Sequence, residues 1–352
     1  MSEFTAALVA TVREACVRRS GTDAVAACAD GGWNAELWAA LEQIGVTTLS
    51  VPEELGGAGG DVAATVAVLE VLGEYSAGVP LAETALLAGR LIADCGGTVP
   101  SGPMTAAVTG PELRTRREDA GLSVQGTLAR VPWARNAHHV AVLDNGRVLL
   151  LGRGDFLLRQ GTNLAGEPRD DLEVDAVLPA SQVYEPPADS PISARALRSR
   201  AALARAALMV GAGRQALELA VAYAGEREQF GRPIAKFQAV QQHLAAMAGE
   251  VLLAKGAVEA AALAVDTQGD ADVAVAAAKV VAGQMAGVVA SLAHQIHGAI
   301  GYTEEHSLRH STTRLWAWRD ESGNEDEWSE VLGRRALSAG TGGLWPLLTG
   351  TR

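Results

Sequence analysis

The segment Tyr223–Gln242, Y-A-G-E-R-E-Q-F-G-R-P-I-A-K-F-Q-A-V-Q-Q, sets a cation at a helix boundary. Arg227 lies near the end of one helix, Gly231 and Pro233 interrupt the chain, and Phe237, Val240, Leu244 and Met247 open a second, amphipathic helix. Orphan N–H groups at a helix terminus and a guanidinium both donate to oxyanions, so the chemistry on offer is phosphate or pyrophosphate binding. The alternative is an ion pair between Arg227 and Glu226 or Glu228 on a solvated face. His294 and His297, three apart, suggest a metal pair, but no third ligand has suitable spacing and no metal site is expected. Cys16, Cys28 and Cys95 form no C-x-x-C pair, which argues for inert thiols in a reducing compartment.

The elements that position these groups fall into three zones. Residues 1–103 read as helices. Phe4–Val17 has helical spacing, Trp33–Ile44 puts Trp33, Leu37, Leu41 and Ile44 on one face, and Ala63–Leu72 continues the pattern. Between the last two lies V-P-E-E-L-G-G-A-G-G-D, residues 51–61, a loop forced by its four glycines. Residues 104–188 change to short runs of period two, and Asn145-Gly146 between H-H-V-A-V-L-D and R-V-L-L-L-G is a strong hairpin signal. Residues 189–352 are long Ala-rich helices broken at G-R-P-I-A-K-F, at the loop within Asp266–Asp272 and at H-G-A-I-G-Y-T-E-E-H.

Composition sets limits on partners. The chain has 352 residues, with Lys+Arg 29 against Asp+Glu 41, a net charge of −12 that opposes nucleic acid and anionic membranes as partners. Only Lys236, Lys255 and Lys279 are lysines. Hydrophobic residues make up 48% but aromatics 4%, so the core rests on Ala, Val and Leu and should be largely helical. The N-terminus lacks a basic region followed by an apolar one, and charged residues interrupt the apolar stretches, so a cytoplasmic protein is expected.

Arg227–Gln238, R-E-Q-F-G-R-P-I-x-x-F-Q, closely resembles the signature of the acyl-CoA dehydrogenase family. The resemblance implies a mainly α fold with a middle β-barrel and a C-terminal four-helix bundle, the zone order read above. It further implies that Arg227, Gln229 and Phe230 reach the adenosine and pyrophosphate end of an FAD held mainly by a neighbouring subunit. Gln295–Glu305, Q-I-H-G-A-I-G-Y-T-E-E, resembles the family's turn toward the same pyrophosphate, with Gln295, Gly298 and the Ala299 amide as candidates. Ala299 stands where the family often has glycine. The loop at residues 51–61 resembles one near the family's acyl-CoA channel and reads equally as a plain connection.

The family's reaction removes an α-proton from a thioester while the β-hydrogen leaves as hydride to the flavin, so a carboxylate must serve as base. One family position for it maps to Ser199-Arg200-Ala201-Ala202, which holds no acid. The other maps to W-R-D-E-S-G-N-E, residues 318–325, where Glu321 is the first candidate and Asp320 the second. The alternative is that this acidic run, continued by Asp326, Glu327 and Glu330, caps the final helix or faces solvent. Trp316, Trp318 and Trp328 read as packing residues around that turn. The middle zone lacks the family's usual Thr-Glu-x-x-x-Gly-Ser-Asp type segment, but V-Q-G-T-L-A-R-V-P-W-A-R-N-A resembles the strand and turn that follow, and puts Trp133 near the isoalloxazine.

The resemblance therefore implies FAD as cofactor, an acyl-CoA substrate, electron-transferring flavoprotein as acceptor, and a tetramer. The favoured expectation is one subunit of a hetero-oligomer with a homologous partner, as among actinobacterial enzymes acting on steroid side chains. A self-sufficient homotetramer using Glu321, and a flavin-free scaffold keeping the fold, are the alternatives.

Overall fold

The computed structural model describes residues 2–188, 190, 192–267, 271–303, 306–343 and 345–346. Parts of three expected segments, at Asp189 and Pro191, at 268–270 in the loop before the last long helices, and at Glu304 and Glu305, lie outside the described residues.

Five helices come first: α1 Glu3–Arg19, α2 Thr22–Ala27, α3 Ala35–Ile44, α4 Val62–Glu74 and α5 Gly89–Asp94. Helix α3 starts where the Asn34 side chain accepts from the Leu37 N–H at 2.9 Å and stops at Gly45, whose φ of 86° closes the left-handed cap. Leu37 and Leu41 are fully buried as expected, but Trp38 shares their face, and Trp33 lies ahead of the helix with its ring 6.1 Å away. A wholly buried π-helix, Ala82–Ala88, runs into α5. The loop at 51–61 hydrogen-bonds to itself and its flanks, with Gly59 N–H donating to Val51 O and Gly60 N–H to Leu49 O.

The middle region has strands β1 Met104–Val108, β2 Leu113–Glu118, β3 Gly121–Pro132, β4 His139–Asp144, β5 Arg147–Gly152, β6 Phe156–Arg159, β7 Arg169–Leu178 and β8 Val183–Tyr184. They form two four-stranded sheets, ordered β1-β4-β5-β8 and β2-β3-β7-β6, in which only β1 and β4 run parallel. The hairpin expected at Asn145-Gly146 joins β4 to β5, with φ of 48° and 94° at the two turn residues. Val140, Val142, Leu149 and Leu151 face one apolar core with Leu122, Val124, Leu172 and Val174 of the other sheet. Ala141, Leu143, Val148 and Leu150 point the opposite way, onto Leu87, Leu91, Ile92 and Leu197. Both faces of β4 and β5 are therefore covered, which is why these strands read as apolar runs instead of a strict alternation.

The rest is helical: α6 Ala194–Glu226, α7 Gln238–Thr267, α8 Asp272–His297, α9 Leu308–Asp320 and α10 Glu325–Ala339. Helix α8 packs on α7, α9 and α10. By length and composition it could cross a membrane, yet 61% of its most apolar window is buried, as suits a central bundle helix.

The chain divides into two compact units. One comprises residues 1–65 and 78–201; the other comprises residues 66–77 and 202–352. The second unit thus takes most of α4 from the N-terminal zone. The two helices meet at glycines: a Cβ on Gly73 would lie 2.0 Å from Leu208 O, and one on Gly211 would lie 1.9 Å from Glu70 O. Backbones this close bring Glu74 into an ion pair with Arg214, and Glu70 within 3.1 Å of Lys255 on α7.

Candidate functional site

Helix α6 ends at Glu226, and the chain turns back in a two-residue hairpin, β9 Glu228–Gln229 and β10 Arg232–Pro233. Its turn residues are Phe230 and Gly231, with φ of 53° and 76°. Left-handed backbone at a phenylalanine costs on the order of 1 kcal/mol, and here the strain presents a ring that is 91% exposed. The Phe230 ring meets Phe237 edge-on at 6.1 Å, and Arg232 lies over the Phe237 face at 4.4 Å. Arg227 pairs with neither Glu226 nor Glu228; among the described residues its guanidinium has no hydrogen-bond or ion-pair partner.

The end of α8 comes to the same place. Arg227, Gln229 and Phe230 line one open cavity of about 560 Å³ with Gln295, Gly298 and Ala299, together with Tyr223, Val240, His243 and His297. All six predicted cofactor residues in this set are exposed. Gly298 ends α8 at φ 64°, ψ −144°, a conformation open essentially to glycine alone, and nothing lies within 4 Å of where its Cβ would stand. That space serves no internal packing, so it is available to a ligand. Tyr223 stacks on His297 at 4.6 Å and so ties α6 to α8 behind the cavity. His297 Nδ1 bonds the Ala293 carbonyl at 2.8 Å, and burial holds its pKa, like that of His294, below the ordinary histidine value. Among the described residues no cluster of three or more metal-ligating side chains occurs.

A cation, two amides, an exposed aromatic face and an open glycine terminus form a donor set that fits the adenosine and pyrophosphate end of a dinucleotide. Sequence reasoning did not single out His243, took Tyr223 only as the start of its segment, and weighed His297 only as half of a metal pair. Their signal lay only in helical spacing, which puts Tyr223 one turn before Arg227.

The predicted carboxylates lie on the turn after α9. Asp320 is the last residue of that helix and is exposed. Glu321 is half-buried, with its Oε2 accepting from Arg205 Nε at 2.6 Å. Ser322 and Gly323 follow at φ 59° and 99°. The Lys279 ammonium, 1% exposed, donates to Arg319 O at 2.6 Å and Gly323 O at 2.8 Å, and Trp328 Nε1 donates to Ser322 O at 3.0 Å. Beyond it Asn324 and Glu327 form a capping box for α10, while Glu325 pairs with Arg319 and Glu330 with Arg334. Trp318 and Trp328 are buried, in keeping with packing roles.

Burial pushes the Lys279 pKa from the ordinary lysine range to about 8, against the pull of Glu325 and Glu321. Between about pH 8 and the ordinary lysine range the unfolded chain therefore binds a proton that the folded chain lacks. Stability should rise with pH across that window by roughly 3 kcal/mol. Urea denaturation at a series of pH values should show this rise in the wild type and its absence in Lys279→Met. Equal slopes would refute the assignment.

Trp133, expected near the isoalloxazine, lies at φ 56° and is 3% exposed, with its ring beside Gly78.

Residues 2–98 match the family described as acyl-CoA dehydrogenase, N-terminal domain, and residues 194–335 that described as acyl-CoA dehydrogenase, C-terminal domain. The chain is similar to the acyl-CoA dehydrogenase IpdE2 of Mycolicibacterium smegmatis, 31% identical over 313 residues, which cover 88% of this chain and 91% of that protein. In fold it is similar to a chain of the ChsE4-ChsE5 complex from Mycobacterium tuberculosis, with a TM-score of 0.86 at 24% identity over 96% of this chain and 98% of that one. It is also similar to the Tcur3481-Tcur3483 steroid ACAD, with a TM-score of 0.82 at 24% identity over 96% and 98%.

Proposed function

Because the chain belongs to the acyl-CoA dehydrogenase family, we propose that it takes part in the FAD-dependent α,β-dehydrogenation of an acyl-CoA thioester as one subunit of a hetero-oligomer with a homologous partner. The observation that carries this reading is the cavity in which Arg227, Gln229 and Phe230 meet Gln295, Gly298 and Ala299. These residues would hold the adenosine and pyrophosphate end of FAD, which when bound supplies the acceptor for the β-hydrogen. Arg227 would neutralise phosphate charge, the Gly298–Ala299 backbone would approach it closely, and Phe230 would cover the adenosine.

Two further observations favour a partner. Helix α7 leaves Leu252, Leu253 and Leu263 exposed on a stripe with Ala245, Gly249, Gly256 and Ala260, an apolar face with small residues that suits another helix. Glu321, the carboxylate at the expected base position, is engaged by Arg205. The names of the two structural neighbours pair two proteins each, and one is called a steroid ACAD, which supports a bulky acyl group as substrate. In this reading residues 1–103, 104–188 and 189–352 act as the three domains, electron-transferring flavoprotein takes the electrons, and the enzyme works in the cytoplasm.

A self-sufficient homotetramer is the second reading, favoured by the rigidly tied turn that carries Glu321. Flavin absorbance separates the two. The chain purified alone should be colourless, and the chain co-expressed with a homologous partner should carry flavin. A yellow homo-oligomer that acyl-CoA bleaches would establish the second reading, and absence of flavin in both preparations would refute both.

A further inference from the structure

Helix α6 carries a lone charge inside an apolar run, A-A-L-A-R-A-A-L-M-V, residues 201–210. That charge, Arg205, is 5% exposed. A guanidinium keeps its proton, so it is buried only where acceptors meet it. Its Nε–H donates to Glu321 Oε2 at 2.6 Å, and the Glu321 side chain is itself only 17% exposed. Lys279, a second buried cation, ties the carbonyls on either side of Glu321, those of Arg319 and Gly323. Asp320, Glu321, Glu325 and Arg205 are the charged groups around it.

We propose that Arg205 is a positioning residue that holds Glu321 as its fixed counter-ion, so that in this chain the carboxylate at the base position is withheld from the α-proton. A general base works when nothing else claims its lone pair and its charge. Both are claimed here. Protonating Glu321 would cancel its charge beside the buried Arg205 guanidinium and weaken their ion pair, a penalty added to the proton transfer itself. The proposal rests on the hetero-oligomer reading and deepens it: the carboxylate that abstracts the proton then belongs to the partner subunit.

Hydrogen exchange at the α-carbon isolates the step. The α-C–H bond breaks, its proton passes to a carboxylate oxygen, and the electron pair spreads over the thioester carbonyl. Return of a deuteron from solvent restores the thioester with no change of oxidation state, so neither oxidant nor electron acceptor is needed. The flavin-loaded oligomer is incubated with octanoyl-CoA in deuterium oxide, and α-deuterium is read by mass spectrometry. The partner's carboxylate sets the wild-type rate, so Arg205→Met should raise exchange by up to about twofold, as a second base of equal strength is added to the first. Arg205→Lys, which keeps a buried cation, should stay at the wild-type rate, and Arg205→Met with Glu321→Gln should return to it. Thermal melts of the same proteins give the second readout. Arg205→Met and Glu321→Gln should each lower Tm by more than the double variant does, because the double removes both charges.

Exchange in Arg205→Met no faster than wild type, loss of exchange in Glu321→Gln alone, or Tm losses that add in the double variant would each overturn the proposal. Absence of flavin from the oligomer would strike instead at the proposed function, and the thermal cycle would still decide whether Arg205 and Glu321 act as one pair.

Discussion

Arg227→Ala should strip the protein of its cofactor while leaving its fold untouched. A charge-assisted hydrogen bond to phosphate is worth about 1.5–3 kcal/mol, so flavin retention should weaken by roughly 10–100-fold. The side chain is exposed and, among the described residues, makes no internal hydrogen bond or ion pair, so unfolding stability should move by no more than about 0.5 kcal/mol. The split between the two readouts identifies a ligand contact. Equilibrium dialysis with FAD on the assembled oligomer, beside a melting curve, measures both. Full flavin occupancy in the variant would remove Arg227 from the site, and a large fall in Tm would return it to a structural role. Phe230→Ala makes a weaker companion: it removes the stacking surface but also replaces a strained residue.

The second large effect lies away from the cavity. Gly211→Ala would ordinarily stabilise a helix by about 1 kcal/mol. Here the new Cβ would stand 1.9 Å from Glu70 O and 2.6 Å from Glu74 N, both backbone atoms of α4 that cannot swing aside. The two helices must part, and the Glu74–Arg214 and Glu70–Lys255 pairs part with them. Overpacking against backbone together with broken part-buried ion pairs should cost about 3–5 kcal/mol. Chemical denaturation of wild type and variant measures it, and a variant as stable as wild type would show that this crossing is loose.

Much of the architecture was written in local pattern. Asn145-Gly146 announced its hairpin because only residues tolerant of positive φ close a two-residue turn between strands. The Arg227 segment announced a chain break, although the break proved to be a second tight hairpin with phenylalanine in the left-handed position, a choice that propensity would not make. The site residues on the α6 and α8 ends were legible because their motifs are contiguous. The Arg205–Glu321 pair was not, since it joins residues 116 apart and its sole local sign was one charge in an apolar helix. The left-handed backbone and near-complete burial of Trp133 were likewise not legible, because both depend on groups distant in the chain.

The glycine crossing of α4 and α6 also bears on how the chain is made. Residues 66–77 emerge from the ribosome long before Gly211, and at 5–20 residues per second the delay is on the order of ten seconds. Throughout that interval the nascent α4 carries an apolar face and the carboxylates of Glu70 and Glu74 with no bundle to receive them. The C-terminal unit therefore cannot close during its own synthesis alone; it must capture a segment that has already been waiting. A shortened gene beginning after residue 77 would produce a bundle with an open groove along Gly211, prone to seize any passing helix in place of its own.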